Sequence, residues 1–142
     1  MRIENMESKI NKGERLDDLQ IRGYKIIQDP KRFCFGIDAV LLAHYARVKP
    51  HDRCLDMCTG TGIVPILMHA LNSETIPDVT YDAIEVQETS ANMAKRSVEL
   101  NDITLDVNII LGDVKEAAGY FDAASFQVVT VNPPYIENNK GL

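Results

Sequence analysis

The stretch "RCLDMCTGTGIVPILM", residues 53–68, decides how the chain is read. Arg53–Met57 is a short, mostly apolar run of the kind that forms a buried strand. It empties into the small-residue loop "CTGTG", and "IVPILMHALN" beyond it is apolar enough for a packed helix. Gly60 and Gly62 let the backbone come close to a ligand, and the following helix offers free N–H groups there. The loop is a relative of the dinucleotide fingerprint but departs from it twice. Cys58 stands where a first glycine is expected, and Asp56 closes the strand with a carboxylate that would repel a pyrophosphate. The same carboxylate suits a ligand carrying an ammonium or a sulfonium group. Taken alone, the loop also fits a tight structural turn.

On either side of this stretch the chain alternates. Upstream, "YKIIQDPKRFCF" (24–35) reads as two short strands around an Asp29-Pro30-Lys31 turn. "GIDAVLLAHYARVKP" (36–50) then reads as a helix with Asp38 as its N-cap. Val40, Leu41, Ala43, His44 and Tyr45 can share one of its faces, and Pro50 closes it. Downstream come strands at 80–86, 106–111 and 126–131, separated by a polar-faced helix (87–101) and a short helix after "GDV". This order predicts an α/β fold with a parallel sheet covered by helices on both faces. Two units are expected: residues 1–50 as an extension whose hairpin and helix cover a ligand site, and residues 51–142 as the sheet core.

Three acids end successive strands. Glu85 lies 23 residues after Gly62, close to the spacing at which an acid reaches ribose hydroxyls in doubly wound folds. A carboxylate can accept from both hydroxyls of a cis-diol. Asp113 ends the next strand and could accept from an adenine amino group. Each acid alone reads as a solvated strand end. With Asp56, the three converge on the crevice at the carboxyl ends of the sheet, where an adenosine with a cationic appendage would fit.

Together with Asn132-Pro133-Pro134-Tyr135, these residues resemble the motifs of class I S-adenosylmethionine-dependent methyltransferases that modify planar amide or amino nitrogens. More narrowly, Phe33–Ala46 and the 53–68 stretch resemble the bacterial family that methylates N6 of the adenine beside the anticodon of a valine tRNA. The resemblance runs from about Leu16 to the end of the chain. It implies a Rossmann-like fold, S-adenosylmethionine as cofactor and tRNA as partner. The implied cofactor residues are Asp56, Cys58, Gly60, Gly62, Glu85, Asp113, Phe35, Asp38 and Asn132; Phe33 lies in the same covering segment. The implied catalytic residues are Asn132, Pro133, Pro134 and Tyr135. An exocyclic amino nitrogen is a poor nucleophile because its lone pair is delocalised. If the Asn132 side-chain oxygen and the Pro133 carbonyl accept its N–H groups, the lone pair can turn toward the methyl carbon. The prolines hold that carbonyl outward, and Tyr135 stacks on the base. No metal is needed.

Composition limits the alternatives. The chain has 142 residues, is 45% hydrophobic, and carries a net charge of −6, enough for one core and with no apolar run of bilayer length. Three cysteines fit no zinc pattern and, without a signal-like N-terminus, point to reduced thiols in a cytoplasmic protein. Residues 1–50 hold ten Lys/Arg against seven Asp/Glu, whereas residues 51–142 hold five against fourteen. A polyanion would therefore be drawn to Arg22, Lys25, Lys31 and Arg32, with Lys31 and Arg32 the candidates for RNA backbone contact. Gln28 is a candidate to face the same site as Phe35. An anticodon-loop adenine is single-stranded and can be splayed into a pocket at modest cost.

The sheet of this family has seven strands, and four core strands are visible here. The expectation is an N-terminal portion of a longer product, with strand 126–131 open to self-association or to a partner. Other readings remain open: a glutamine-N5 or ribosomal-RNA guanine-N2 methyltransferase, or a cofactor-binding fragment without catalysis.

Overall fold

The computed structural model describes residues 6–134. In chain order it has strands β1 (Arg15–Asp18) and β2 (Lys25–Gln28), helix α1 (Ile37–Tyr45), β3 (Arg53–Met57), α2 (Ile63–Asn72), β4 (Thr80–Glu85), α3 (Glu88–Leu100), β5 (Val107–Leu111), a 3₁₀ turn (Val114–Glu116) running into α4 (Ala117–Tyr120), and β6 (Val128–Val131). Four strands form a parallel sheet in the order β5-β4-β3-β6. The chain lays down β3, β4 and β5 in one direction, then returns to place β6 on the other side of β3. That reversal between β3 and β6 opens a crevice at their carboxyl ends.

One face of the sheet is the main core. Cys54 of β3, Tyr81 and Ala83 of β4, and Val107 and Ile109 of β5 meet Ile66, Ala94 and Val98 of α2 and α3. Ile26 and Ile66 are fully buried, and each contributes about 1.5–3 kcal/mol by leaving water. The opposite face is covered more lightly among the described residues. Phe126 lies under the Arg53 guanidinium, 4.9 Å from its ring centre, and packs edge-on against Phe121 beyond α4. Val129 and Val131 of β6 remain 55% and 52% exposed.

The N-terminal hairpin departs from the expected one. β2 pairs antiparallel with β1, upstream, through the Arg15↔Gln28 to Asp18↔Lys25 register, and residues 32–35 form no strand. The Asp29 side chain accepts from Lys31 N at 2.9 Å and its carbonyl from Arg32 N at 3.0 Å. That closed turn releases the chain away from β2 instead of returning it alongside. "RLDD" gives little strand signal because three of its four residues are charged, so the sequence hides the true partner of β2.

Helix α1 also differs. Gly36 occupies the N-cap, Asp38 lies in the first turn, and the helix ends at Tyr45, with Ala46 extended. Leaving the helix there lets Val48 reach the core, so Pro50 plays no part in the stop. The buried face is Ala39 and Ala43, small residues one turn apart, with Val40 and Leu42 partly buried beside them. Leu41 and Tyr45, expected on the packed face, are 60% and 84% exposed.

Candidate functional site

The crevice at the β3–β6 switch point has a volume of about 400 Å³. Its floor is the 58–61 loop, its sides are the ends of β4 and β5, and Arg32–Gly36 and Asn132–Pro134 form its rim. Of the residues singled out from sequence, Phe35, Asp38, Asp56, Cys58, Gly60, Glu85, Asp113, Asn132, Pro133 and Pro134 all line it, as do Phe33 and Arg32. Tyr135 lies outside the described residues.

Glu85 is held on both oxygens. Gly60 N donates to Oε1 at 3.0 Å and Gln87 N to Oε2 at 2.8 Å, while Thr59 N closes onto the Ile84 carbonyl at 2.9 Å. Each carboxylate oxygen keeps a lone pair for a further donor. The glycine loop and the β4 acid are thus one unit: the loop's backbone aims the acid.

Asp56 is deeper, 4% exposed, and accepts a 2.7 Å hydrogen bond from Thr130 Oγ1 across the β3–β6 register. Burial pushes its carboxyl up to about 6; the hydroxyls of Thr59 and Thr130 oppose the rise and the Glu85 charge adds to it. Cys58 takes a left-handed backbone, φ 58°, the conformation a glycine would adopt without steric cost. Burial raises its thiol, and the charges of Glu85, Asp56 and Asp113 push the same way. All three strand-end acids therefore act on one loop. Asp113 is partly committed, since its Oδ1 caps the 3₁₀ turn by accepting from Lys115 N at 2.9 Å.

Three expectations need correction. Gly62 does not line the crevice. At φ 89° it caps α2, and a Cβ there would lie 3.2 Å from Ala94 Cβ and 3.3 Å from Ile66 Cδ1, so its smallness serves α2–α3 packing. Gln28 stands behind the crevice wall and does not face in; its amide is bonded to Asp17 and to Phe35 N. The basic cluster is divided. Arg22 binds the Ala70 carbonyl, Ser73 and Glu74 at the end of α2, and Lys25 pairs with Asp18. Arg32, near Asp29 at 3.7 Å, stays at the rim, and Lys31 is exposed beside it.

Sequence reading missed Thr130, Thr59, Gln87 and Ser90. Thr130 had a usable signal, a hydroxyl in mid-strand of an otherwise apolar run, but its meaning depends on a register known only from the fold. Thr59 has a buried hydroxyl close enough to Asp56 to favour its charged form, and it lines the crevice. Gln87 and Ser90, at the start of α3, line the Glu85 side.

The tRNA1(Val) (adenine(37)-N6)-methyltransferase of Bacteroides thetaiotaomicron is 30% identical over 116 residues, covering 82% of this chain and 46% of that protein. Its namesake from Serratia proteamaculans is 27% identical, covering 95% of this chain and 50% of the relative. The chain thus spans about half the length of the curated relatives it matches. Among solved structures, a METTL16 methyltransferase domain superposes with a TM-score of 0.66 at 22% identity, covering 84% of this chain and 56% of that one. The profile of the methyltransferase small domain matches residues 24–141, and on that match the chain belongs to the methyltransferase small domain family.

Proposed function

We propose that the chain carries the cofactor crevice and base-positioning motif of an S-adenosylmethionine-dependent enzyme that methylates N6 of an adenine in tRNA. The observation that carries this reading is the opening of Asn132-Pro133-Pro134 into the same crevice as Asp56, Glu85 and Asp113. The names of the curated relatives support the adenine and the tRNA.

The residues present fit the cofactor. Glu85, aimed by two backbone N–H groups, retains acceptors for a ribose diol. Asp56, with the Thr59 and Thr130 hydroxyls beside it, provides a buried anionic corner for a cationic amino-acid end. Phe33 and Phe35 provide apolar walls. When bound, S-adenosylmethionine supplies an electrophilic methyl group on an activated sulfonium. The protein's own part is orientation. Asn132 leaves β6 with its side-chain oxygen available as an acceptor, and Pro133 and Pro134 restrict the backbone so that the Pro133 carbonyl can be held toward a planar amine. Lys31 and Arg32 at the rim are where a phosphodiester backbone would approach. The reading places the protein in the cytoplasm, with tRNA. The edge of β6, which pairs with no strand among the described residues, supports pairing with a second copy or a partner strand.

The test is transfer of labelled methyl groups by a gene product of the relatives' length that contains this chain. Transfer to tRNA, abolished by Asn132→Ala with cofactor binding retained, is the expected result. Transfer to a release-factor glutamine or to ribosomal RNA, and none to tRNA, would overturn the substrate. Full transfer by Asn132→Ala would overturn the mechanism.

A further inference from the structure

Gln28 is 2% exposed, at the end of β2, one of few uncharged polar side chains so deeply buried. Its amide is used at both ends. Nε2 donates to Asp17 Oδ2 at 2.6 Å, and Oε1 accepts from Phe35 N at 3.0 Å. The two partners fix the orientation of the amide, because an N–H must meet an oxygen and a carboxylate must meet a donor. Asp17 is itself gripped by Arg15 Nε at 2.8 and 3.0 Å. A relay thus runs from Arg15 and Asp17 on β1, through Gln28, to the backbone of Phe35.

Phe35 belongs to the segment that closes one side of the crevice. Among the described residues, the other hydrogen bonds made by residues 30–35 return to Asp29 and Arg32 within the same turn: Lys31 N and Arg32 N to Asp29, and Cys34 Sγ to the carbonyls of Asp29 and Arg32. The bond from Phe35 N to Gln28 is therefore the one that fastens this wall to the hairpin. Phe35 then packs its ring against the main core, while Phe33, two residues earlier, stays 74% exposed at the mouth.

The geometry points to Gln28 as a positioning residue for the cofactor site: it holds the Phe33–Gly36 wall against the crevice without touching the ligand. This rests on the reading of the crevice as an S-adenosylmethionine site. A glutamine is needed because the position must accept from one side and donate to the other. Glutamate would accept from Phe35 N but face the Asp17 carboxylate. Methionine would keep the volume and lose both bonds.

The test uses the 142-residue chain, with calorimetric titration by S-adenosylhomocysteine and hydrogen exchange at the Phe35 amide. In Gln28→Met the Phe35 amide should exchange at least about tenfold faster while amides of β4 keep their protection, and affinity should fall about tenfold. Gln28→Glu should show a similar loss. Adding Asp17→Asn to Gln28→Glu re-creates a donor opposite an acceptor and should return affinity to within about threefold of the parent. An affinity for folded Gln28→Met within twofold of the parent, or unchanged Phe35 exchange, overturns the role of Gln28. If Gln28→Met does not fold, the paired exchange decides, and failure of Asp17→Asn to rescue Gln28→Glu overturns it. Absence of binding by the unmodified chain is a separate result: it overturns the cofactor reading, while Phe35 exchange still reports whether the tether exists.

Discussion

Asp56 shows how one residue couples the fold to the chemistry. A carboxyl buried beside β6 is an unfavourable place for charge, and burial lifts it from an ordinary 3.8 to about 6. Because its folded pKa lies above its unfolded one, the protonated form favours the fold. That contribution is complete below about pH 4 and is lost as pH rises through 6, a difference of ~3 kcal/mol from a shift of roughly two units. Asp56→Asn should therefore stabilise the chain at pH 7.5 relative to the parent by up to about 3 kcal/mol and should show little gain at pH 4, as read by urea denaturation at both values. The same variant should bind a cationic ligand less well, so stability and affinity move in opposite directions. A variant whose stability tracked the parent's at both pH values would refute the burial argument. Gly62 makes the complementary case, a residue near the site whose work is packing. Gly62→Ala adds a methyl group to a left-handed backbone and sets it 3.2 Å from Ala94 Cβ. Thermal denaturation should show a loss of about 2 kcal/mol.

Among the secondary-structure elements, the hairpin depends most on side chains for its place. β2 is docked on α3 by Ser97 Oγ, which accepts from Ile27 N at 2.9 Å, and by Asn101, whose amide pairs with both backbone groups of Lys25 at 2.6 and 2.9 Å. Asn101→Ala leaves those groups without protein partners and should cost about 2 kcal/mol, seen first as faster hydrogen exchange at Lys25 and Ile27. These contacts also mark where reading the sequence succeeded and where it stopped. The four parallel strands were readable because β3, β4, β5 and β6 are mostly apolar runs with an acid or a proline at or within two residues of their ends. The crevice residues were readable for the same reason: a strand end in this topology is a site by position. The hairpin was not, since β1 is polar and its pairing is set by an Asp29 turn and by α3, 70 residues away in sequence. The roles of Gln28 and Thr130 were hidden too. A lone amide or hydroxyl in an apolar run says only that a partner exists, and the partners, Phe35 N and Asp56, are brought close by the fold.

Viewed as a molecule, the chain is covered unevenly. Ile37, Leu41 and Tyr45 form a stripe along α1 at one-turn spacing, 69%, 60% and 84% exposed. Val129 and Val131 face outward on β6, whose far edge pairs with no strand among the described residues. Isolated exposed apolar residues are ordinary, but two apolar surfaces together with an open parallel-sheet edge favour association. The 142-residue chain should therefore self-associate in solution, its average mass by light scattering rising with concentration from about 1 to about 100 μM. Replacing Val129 and Val131 together by Lys puts charge on the edge strand and should hold the chain at monomer mass over the same range without loss of the main cluster around Cys54, Tyr81 and Val107, which lies on the opposite face of the sheet. A parent chain that stayed monomeric throughout would show that the open edge of β6 is protected within one copy. Unchanged association of the lysine variant would move the contact to the α1 stripe, where Leu41→Glu would be the variant to break it.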